Sequence, residues 1–81
     1  MAQAIQEYVM YKNWCVEWYD TDNEAPIRTT FFFKVAAVKY FSETLIPFDI
    51  DFTFTEYDRT NSKIERQWEY TNSKWRKSDE T

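Results

Sequence analysis

Apolar and polar side chains alternate at nearly every position of one short stretch of this chain. The apolar positions are Phe48, Ile50, Phe52 and Phe54, and the polar positions between them are Asp49, Asp51, Thr53 and Thr55. Because neighbouring side chains of a β-strand point to opposite faces, the pattern predicts a strand with one buried face and one solvated face. A sheet that keeps a solvated face is typical of antiparallel proteins, so we expect an antiparallel sheet.

Residues 63–71 are predicted to form the strand that pairs with this one. Opposed residues of an antiparallel pair point to the same side, so even-numbered residues must meet even-numbered residues. One possible register places Phe52 opposite Trp68. It also places Asp51 opposite Glu69, and such a like-charge pair is destabilising. We therefore predict the other register, which opposes Phe54 to Trp68, Phe52 to Tyr70, Asp51 to Thr71 and Glu56 to Arg66, and which leaves residues 60–62 as a tight turn around Asn61.

The first quarter of the chain is rich in Tyr, Val and Trp, residues that favour extended structure. Residues 4–20 are therefore predicted to form either one long bent strand or two short strands separated at Lys12 and Asn13. A helix over residues 2–11 is the alternative for the beginning of this stretch, because its apolar residues also fit a helical spacing.

A second hairpin is predicted from residues 27–33, which are rich in Thr and Phe and would pair antiparallel with residues 14–19. The loop over residues 20–26 has Asn23 as its candidate left-handed residue. Residues 35–44 fit either a short helix with an apolar stripe or a continuation of the preceding strand. We predict the helix and hence a small α+β fold, mainly antiparallel, with about four strands in two hairpins in the order β-β-α-β-β. An all-β fold is the alternative.

The aromatic content predicts a contact surface. Seventeen of the 81 residues are Phe, Trp or Tyr, and at roughly 150–250 Å² each they carry on the order of 3,000 Å² of ring surface. A chain of this size buries only about 60% of its unfolded surface, so some rings should be exposed and mark a site of association. The sequence predicts a non-enzymatic protein-interaction or adaptor module, self-associating as a homodimer, whose interface includes Trp14, Trp18, Phe31, Phe33 and Trp75.

Catalysis is not predicted. The chain contains no glycine and no histidine, which excludes glycine-rich phosphate-binding loops and triads that use a histidine base. The single Cys15 has no histidine to activate it as a nucleophile, and its apolar neighbours predict a small buried side chain instead.

No metal or cofactor is predicted either. Asp20, Asp22 and Glu24 have the spacing of the first ligands of a calcium-binding loop, but Ala25 and Phe31 stand where that loop needs glycine and glutamate. Asp49 and Asp51 would lie about 7 Å apart on one strand face, where they are better explained as the solvated side of the sheet than as a cation or acid–base site.

Nucleic-acid binding is the alternative function. Lys74, Arg76 and Lys77 surround Trp75, and a ring among cations could stack on a base and contact phosphate. The net charge of −4 argues against a dedicated backbone binder. A weaker variant is an acidic inhibitor that mimics nucleic acid.

The domain organisation is predicted to be simple. Residues 1–71 form one small β-rich domain, and residues 72–81 form a polar C-terminal tail. No apolar run is long enough to cross a membrane and no signal peptide is visible, so we expect a cytoplasmic protein without a membrane partner.

Overall fold

The computed structural model describes residues 12–60 and 62–77. They form one antiparallel sheet of five strands, in the order β2-β1-β3-β4-β5, with one helix. The elements are β1 (Lys12–Asp20), β2 (Ala25–Phe31), α1 (Lys34–Thr44), a 3₁₀ helix (Ile46–Phe48), β3 (Phe52–Asp58), β4 (Lys63–Thr71) and β5 (Lys74–Lys77). The predicted small α+β fold is confirmed, with one strand more than the four expected.

Both predicted hairpins are present. β1 and β2 pair antiparallel, with Trp14 opposite Phe31. In the second hairpin Phe54 lies opposite Trp68, so the register chosen to avoid a like-charge pair is confirmed. The register shifts between Glu56 and Tyr57, which marks a β-bulge near the turn. The predicted turn centre, Asn61, lies outside the described residues, as do the alternatives for residues 2–11.

The sheet differs from the expected one where the second hairpin begins. Residues Ile46–Phe48 form a 3₁₀ helix and β3 begins only at Phe52. The alternation of apolar and polar residues, which starts at Phe48, therefore begins before the strand does. Phe48 is consequently 69% exposed instead of lying in the core. Asp49 adopts the left-handed conformation (φ 57°) at the end of the 3₁₀ helix, which turns the chain toward β3.

The loop between β1 and β2 uses a different left-handed residue from the one predicted. Glu24 has φ 55°, and Asn23 is not among the residues with positive φ. Asn23 instead donates its side-chain amide to the Asp20 carboxylate (2.7 Å), and the backbone amide of Asp22 donates to the same carboxylate (3.0 Å). These bonds close the turn at its first residues, which leaves the reversal of direction to Glu24.

Residues 74–77 form the fifth strand instead of a frayed tail. β5 pairs with β4 and places Trp75 opposite Tyr70. Asn72 and Ser73 both have positive φ (54° and 63°), so the turn between the strands is tight without any glycine. β5 therefore belongs to the same sheet as the other four strands.

Helix α1 covers one face of the sheet. Its buried residues are Ala37 and Phe41, and Leu45 follows it with no exposed surface. The residue before the helix, Phe33, makes no side-chain capping bond, and the first turn holds no acidic residue. Capping and the helix dipole therefore add little, and packing against the sheet accounts for the stability of α1. The core under it comprises Val16, Ala37, Phe41, Leu45, Phe52, Phe54 and Tyr70.

Candidate binding surfaces

An aromatic cluster lies between α1 and the middle of the sheet. Phe41 of the helix stacks on Phe52 (centroids 4.8 Å apart) and meets Phe54 edge-on (5.0 Å). Phe52 stacks on Tyr70 (5.2 Å), and Phe54 stacks on Trp68 (5.5 Å). The rings follow the confirmed strand register, because opposed residues of β3 and β4 lie on one face.

Trp75 lies at the outer border of this cluster. Its ring meets Tyr70 at 5.1 Å, Phe52 at 5.5 Å and Phe41 at 5.6 Å, in edge-to-face arrangements. Such contacts hold the indole in one orientation. Trp75 is nevertheless 46% exposed, so one side of a fixed ring remains open to a ligand or partner.

Beside Trp75 is an open cleft of about 410 Å³, hereafter the aromatic cleft. It is lined by Lys34, Phe41, Phe54, Trp68 and Trp75. Lys34 is the first residue of α1, and Lys77 lies opposite Trp68 in the β4–β5 pair, on the same face as the cleft. The cleft thus combines four ring surfaces with positive charge at its rim.

β5 is an edge strand of the described sheet. Nothing in residues 12–60 and 62–77 pairs with its outer side, and all four of its residues are exposed. Lys74 and Arg76 point to the face opposite the cleft, where Arg76 lies across from Glu69. Within the described chain, no ion pair is made by Lys34, Lys74, Arg76 or Lys77. An unpaired edge of this kind is a template for a further strand.

β2 is the other edge strand of the described sheet. The chain leaves it through Phe32 and Phe33, which are 59% and 57% exposed, and Val35 in the first turn of α1 is 75% exposed. Arg59 lies over the Phe32 ring at 5.2 Å. We call Phe32, Phe33 and Val35 the β2-end patch; it adjoins an unpaired strand edge.

The five residues predicted for the interface divide into two groups. Phe33 and Trp75 are exposed. The other three, Trp14, Trp18 and Phe31, are half-buried and pack against the core. Trp18 donates its indole N–H to the Tyr40 hydroxyl (3.1 Å), and Phe31 contacts the ring of Tyr40 (5.4 Å), so both residues join the sheet to α1. Whether any of the five makes an intermolecular contact remains a prediction.

Sequence reasoning missed several exposed apolar side chains. Phe32 and Val35 lie beside Phe33, and the run of three phenylalanines was the available signal for Phe32. Val35 gave no such signal, because a helical apolar stripe predicts burial. The remaining large exposed apolar residues are Tyr19, Phe48 and Ile64.

Cys15 is buried, as predicted, but on the sheet face opposite α1. It is 4% exposed, and its sulfur lies 3.4 Å from the Thr30 hydroxyl. The Arg28 guanidinium donates to this sulfur (3.5 Å) and to the Tyr57 hydroxyl (3.2 Å). The hydrogen bond to Cys15 raises the pKa of Arg28 above its ordinary value. These contacts saturate the thiol with structural partners.

Three of the acidic residues considered for metal binding accept hydrogen bonds from neighbouring turn residues. Asp51 accepts a bond from the Asn72 backbone amide (3.3 Å), and Asp49 accepts one from the Ser73 hydroxyl (3.2 Å). The hydrogen bond from Asn23 lowers the pKa of Asp20. In the part of the chain that the structure describes, no group of three or more potential ligands could hold a metal ion.

A buried ionic network joins three strands at one end of the sheet. Glu56 of β3 is 7% exposed and lies 2.7 Å from Arg66 of β4 and 3.5 Å from Lys12 of β1. Glu65 approaches Lys12 at 3.3 Å. The predicted opposition of Glu56 and Arg66 therefore forms an ion pair within this network.

The chain matches no protein-family model, no curated protein sequence and no solved structure. Across the described residues there is also no helix with the length and apolar character that a bilayer crossing requires.

Proposed function

We propose that this protein is a non-enzymatic protein-interaction module that forms a homodimer through the β2 edge and the β2-end patch. The observation that carries the proposal is the position of this patch. Three apolar side chains, each more than half exposed, directly follow an edge strand whose outer side is unpaired within the described chain. Adding a strand to such an edge satisfies backbone groups and covers apolar surface in one step.

The sequence of β2 suits symmetric antiparallel pairing. With the two-fold axis at Thr29, Ile27 of one copy lies opposite Phe31 of the other, and Arg28 lies opposite Thr30. No like charges meet in this register. Ile27 and Phe31 form apolar cross-strand pairs and Thr29 lies opposite its own copy, which stabilises a strand pair. The resulting dimer would have one continuous sheet of ten strands.

The β5 edge suits self-pairing poorly. An axis at Trp75 places Lys74 opposite Arg76, and an axis at Arg76 places two arginines opposite each other. Directly opposed like charges destabilise a strand pair. This comparison favours β2 as the edge used for self-association.

Nucleic-acid binding is supported less well. A stacking surface for successive bases needs several exposed rings in a row. Around β5, Trp75 is the one large exposed aromatic residue of the described chain, whereas Phe41 and Phe54 are 4% exposed.

The single free thiol fits the reducing cytoplasm as the site of action.

Phe33→Asp tests the dimer without loss of the fold. Phe33 has extended backbone angles (φ −128°, ψ 135°) before α1, the geometry in which Asp caps a helix well. We expect the variant to be monomeric by size-exclusion chromatography with light scattering, whereas the wild type is dimeric at high micromolar concentration. Its free energy of unfolding as a monomer should rise by about 1 kcal/mol.

Phe48→Asp is the matched control, since Phe48 is also an exposed phenylalanine but lies in the 3₁₀ helix. It should remain dimeric. A wild-type protein that is strictly monomeric at high micromolar concentration, or a Phe33→Asp variant that stays dimeric, would refute the proposal.

A further inference from the structure

We propose a second binding site at the opposite edge of the sheet, where the β5 edge and the aromatic cleft take an acidic, extended peptide segment of a different protein. The segment pairs with β5 as a sixth strand and inserts an apolar side chain into the cleft. The site uses a different strand edge from the homodimer proposed above, because β2 and β5 are opposite edges of the sheet, although Lys34 lies between Phe33 and Val35 in the chain.

The cleft explains the apolar anchor. It offers about 410 Å³ between α1 and β4–β5, room for one large side chain, and its rings are held by mutual contacts. Side chains of an added strand alternate between the two faces. A residue paired near Trp75 and pointing to the α1 face would therefore reach the cleft.

The charges explain why the partner is acidic. Lys34 and Lys77 flank the cleft on one face, and Lys74 and Arg76 point to the other face, so cations meet both sets of alternating side chains. Glu69 is the acidic residue across from Arg76. Lys74 and Lys77 lie opposite Thr71 and Trp68, so they face no acid in the described pair of β4 and β5. A positive edge is electrostatically suited to a negative segment and unsuited to the β5 edge of a second copy, which carries the same positive charges.

The position of Lys34 supports a binding role. A cation in the first turn of a helix is unfavourable for the helix dipole, and an acidic residue would stabilise α1 more. Lys34 nevertheless lines the cleft at this position. The positive charge of Lys34, which is unfavourable for the helix at this position, is favourable for binding an anionic partner.

The test uses the full chain and a fluorescein-labelled peptide of sequence Glu-Glu-Val-Leu-Val-Glu-Glu, which places glutamates on both faces of the added strand and leucine on the cleft face. Binding is measured by fluorescence anisotropy. We expect saturable binding that weakens as salt rises. The same peptide with alternate backbone amides methylated, or with lysine in place of glutamate, should not bind. Equal binding of the methylated peptide would overturn strand pairing.

Three variants at the site and one control variant test where the peptide binds. Lys34→Glu and Lys74→Glu should each weaken binding roughly tenfold at low salt, and Lys34→Glu should also raise the melting temperature. Lys39→Glu, which changes the net charge equally at an exposed helix position, should bind as the wild type does. Trp75→Ala should abolish binding, with its folding checked by circular dichroism. Lys34→Glu and Lys74→Glu variants that bind as tightly as the Lys39→Glu variant would overturn the assignment.

Two further measurements separate the proposals. Phe33→Asn, which removes the same ring without placing a charge beside Lys34, should be monomeric and should bind the peptide with wild-type affinity. If this Phe33 variant is monomeric and the wild-type chain does not bind the peptide, the second site is wrong and the dimer stands. Binding of a labelled ten-residue thymidine oligonucleotide without binding of the peptide would replace the peptide site with a nucleic-acid site.

Discussion

Single residues in left-handed conformations replace the missing glycines of this chain. Glu24, Asp49, Ser62, Asn72 and Ser73 have φ between 54° and 63°. In this region the Cβ atom approaches the backbone, which costs an ordinary residue roughly 1–2 kcal/mol. Asn and Asp tolerate the conformation best, so the cost is concentrated at Glu24 and the two serines.

Glu24→Gly is expected to stabilise the protein. Glycine removes the crowding at φ 55°, and its larger freedom in the unfolded chain offsets part of the gain. We expect the free energy of unfolding to rise by about 0.5 kcal/mol in urea denaturation. Glu43→Gly, in helix α1, is the control and should lower the free energy by about 1 kcal/mol. A loss of stability in Glu24→Gly would contradict the strain argument.

At the scale of elements, α1 is stabilised by its packing against the sheet. Its caps and charges contribute little, whereas Phe41 contacts Phe52, Phe54 and Trp75. The helix and β5 are therefore coupled through one ring, although they are far apart in the sequence. A change at Phe41 acts on both elements.

Phe41→Ala is expected to lower the free energy of unfolding by about 3–5 kcal/mol, because it removes a buried ring and leaves a cavity. Lys39→Ala on the same helix is the control; Lys39 is exposed, and the loss should stay within about 0.5 kcal/mol. Chemical denaturation followed by circular dichroism measures both. Similar losses in the two variants would show that α1 is not anchored through Phe41.

At the scale of the whole molecule, the order β2-β1-β3-β4-β5 brings the first strand between the second and third. This arrangement lets Glu56 of β3 contact Lys12 of β1 on one side and Arg66 of β4 on the other. The network therefore reports the joining of the two hairpins, through β1, β3 and β4, rather than the formation of one hairpin.

Glu56→Gln should lower the free energy of unfolding by about 3 kcal/mol, because it removes the charge that a buried lysine and its neighbouring arginine share. Glu65→Gln is the matched control. The Glu65 side chain is 34% exposed, so water screens its contact with Lys12 and the loss should be below about 1 kcal/mol. A Glu56→Gln variant as stable as Glu65→Gln would show that the network adds nothing to sheet assembly.

The amino-acid sequence by itself determined the local pairings. Side-chain parity and the repulsion between Asp51 and Glu69 selected the register of β3 and β4, since both effects act between neighbouring strands joined by a short turn. The spacing of apolar residues in 35–44 favoured helix α1 but also fitted a continuing strand, so it did not decide between them. The excess of rings over a small core also followed from composition alone, and it predicts exposed aromatic surface.

The tertiary structure decided which rings are covered. Trp14, Trp18 and Phe31 carry the same residue-level signal as Trp75, but α1 crosses their side of the sheet and leaves Trp75 at the border. The sequence did not predict strand β5, because this strand also depends on contacts with residues distant in the chain. Its four exposed residues have no apolar alternation of their own. The stretch joins the sheet by pairing with β4 and through the contacts of Trp75 with Phe41, Phe52 and Tyr70. Contacts between residues distant in the chain arise from packing, which residue order encodes only through the complete fold.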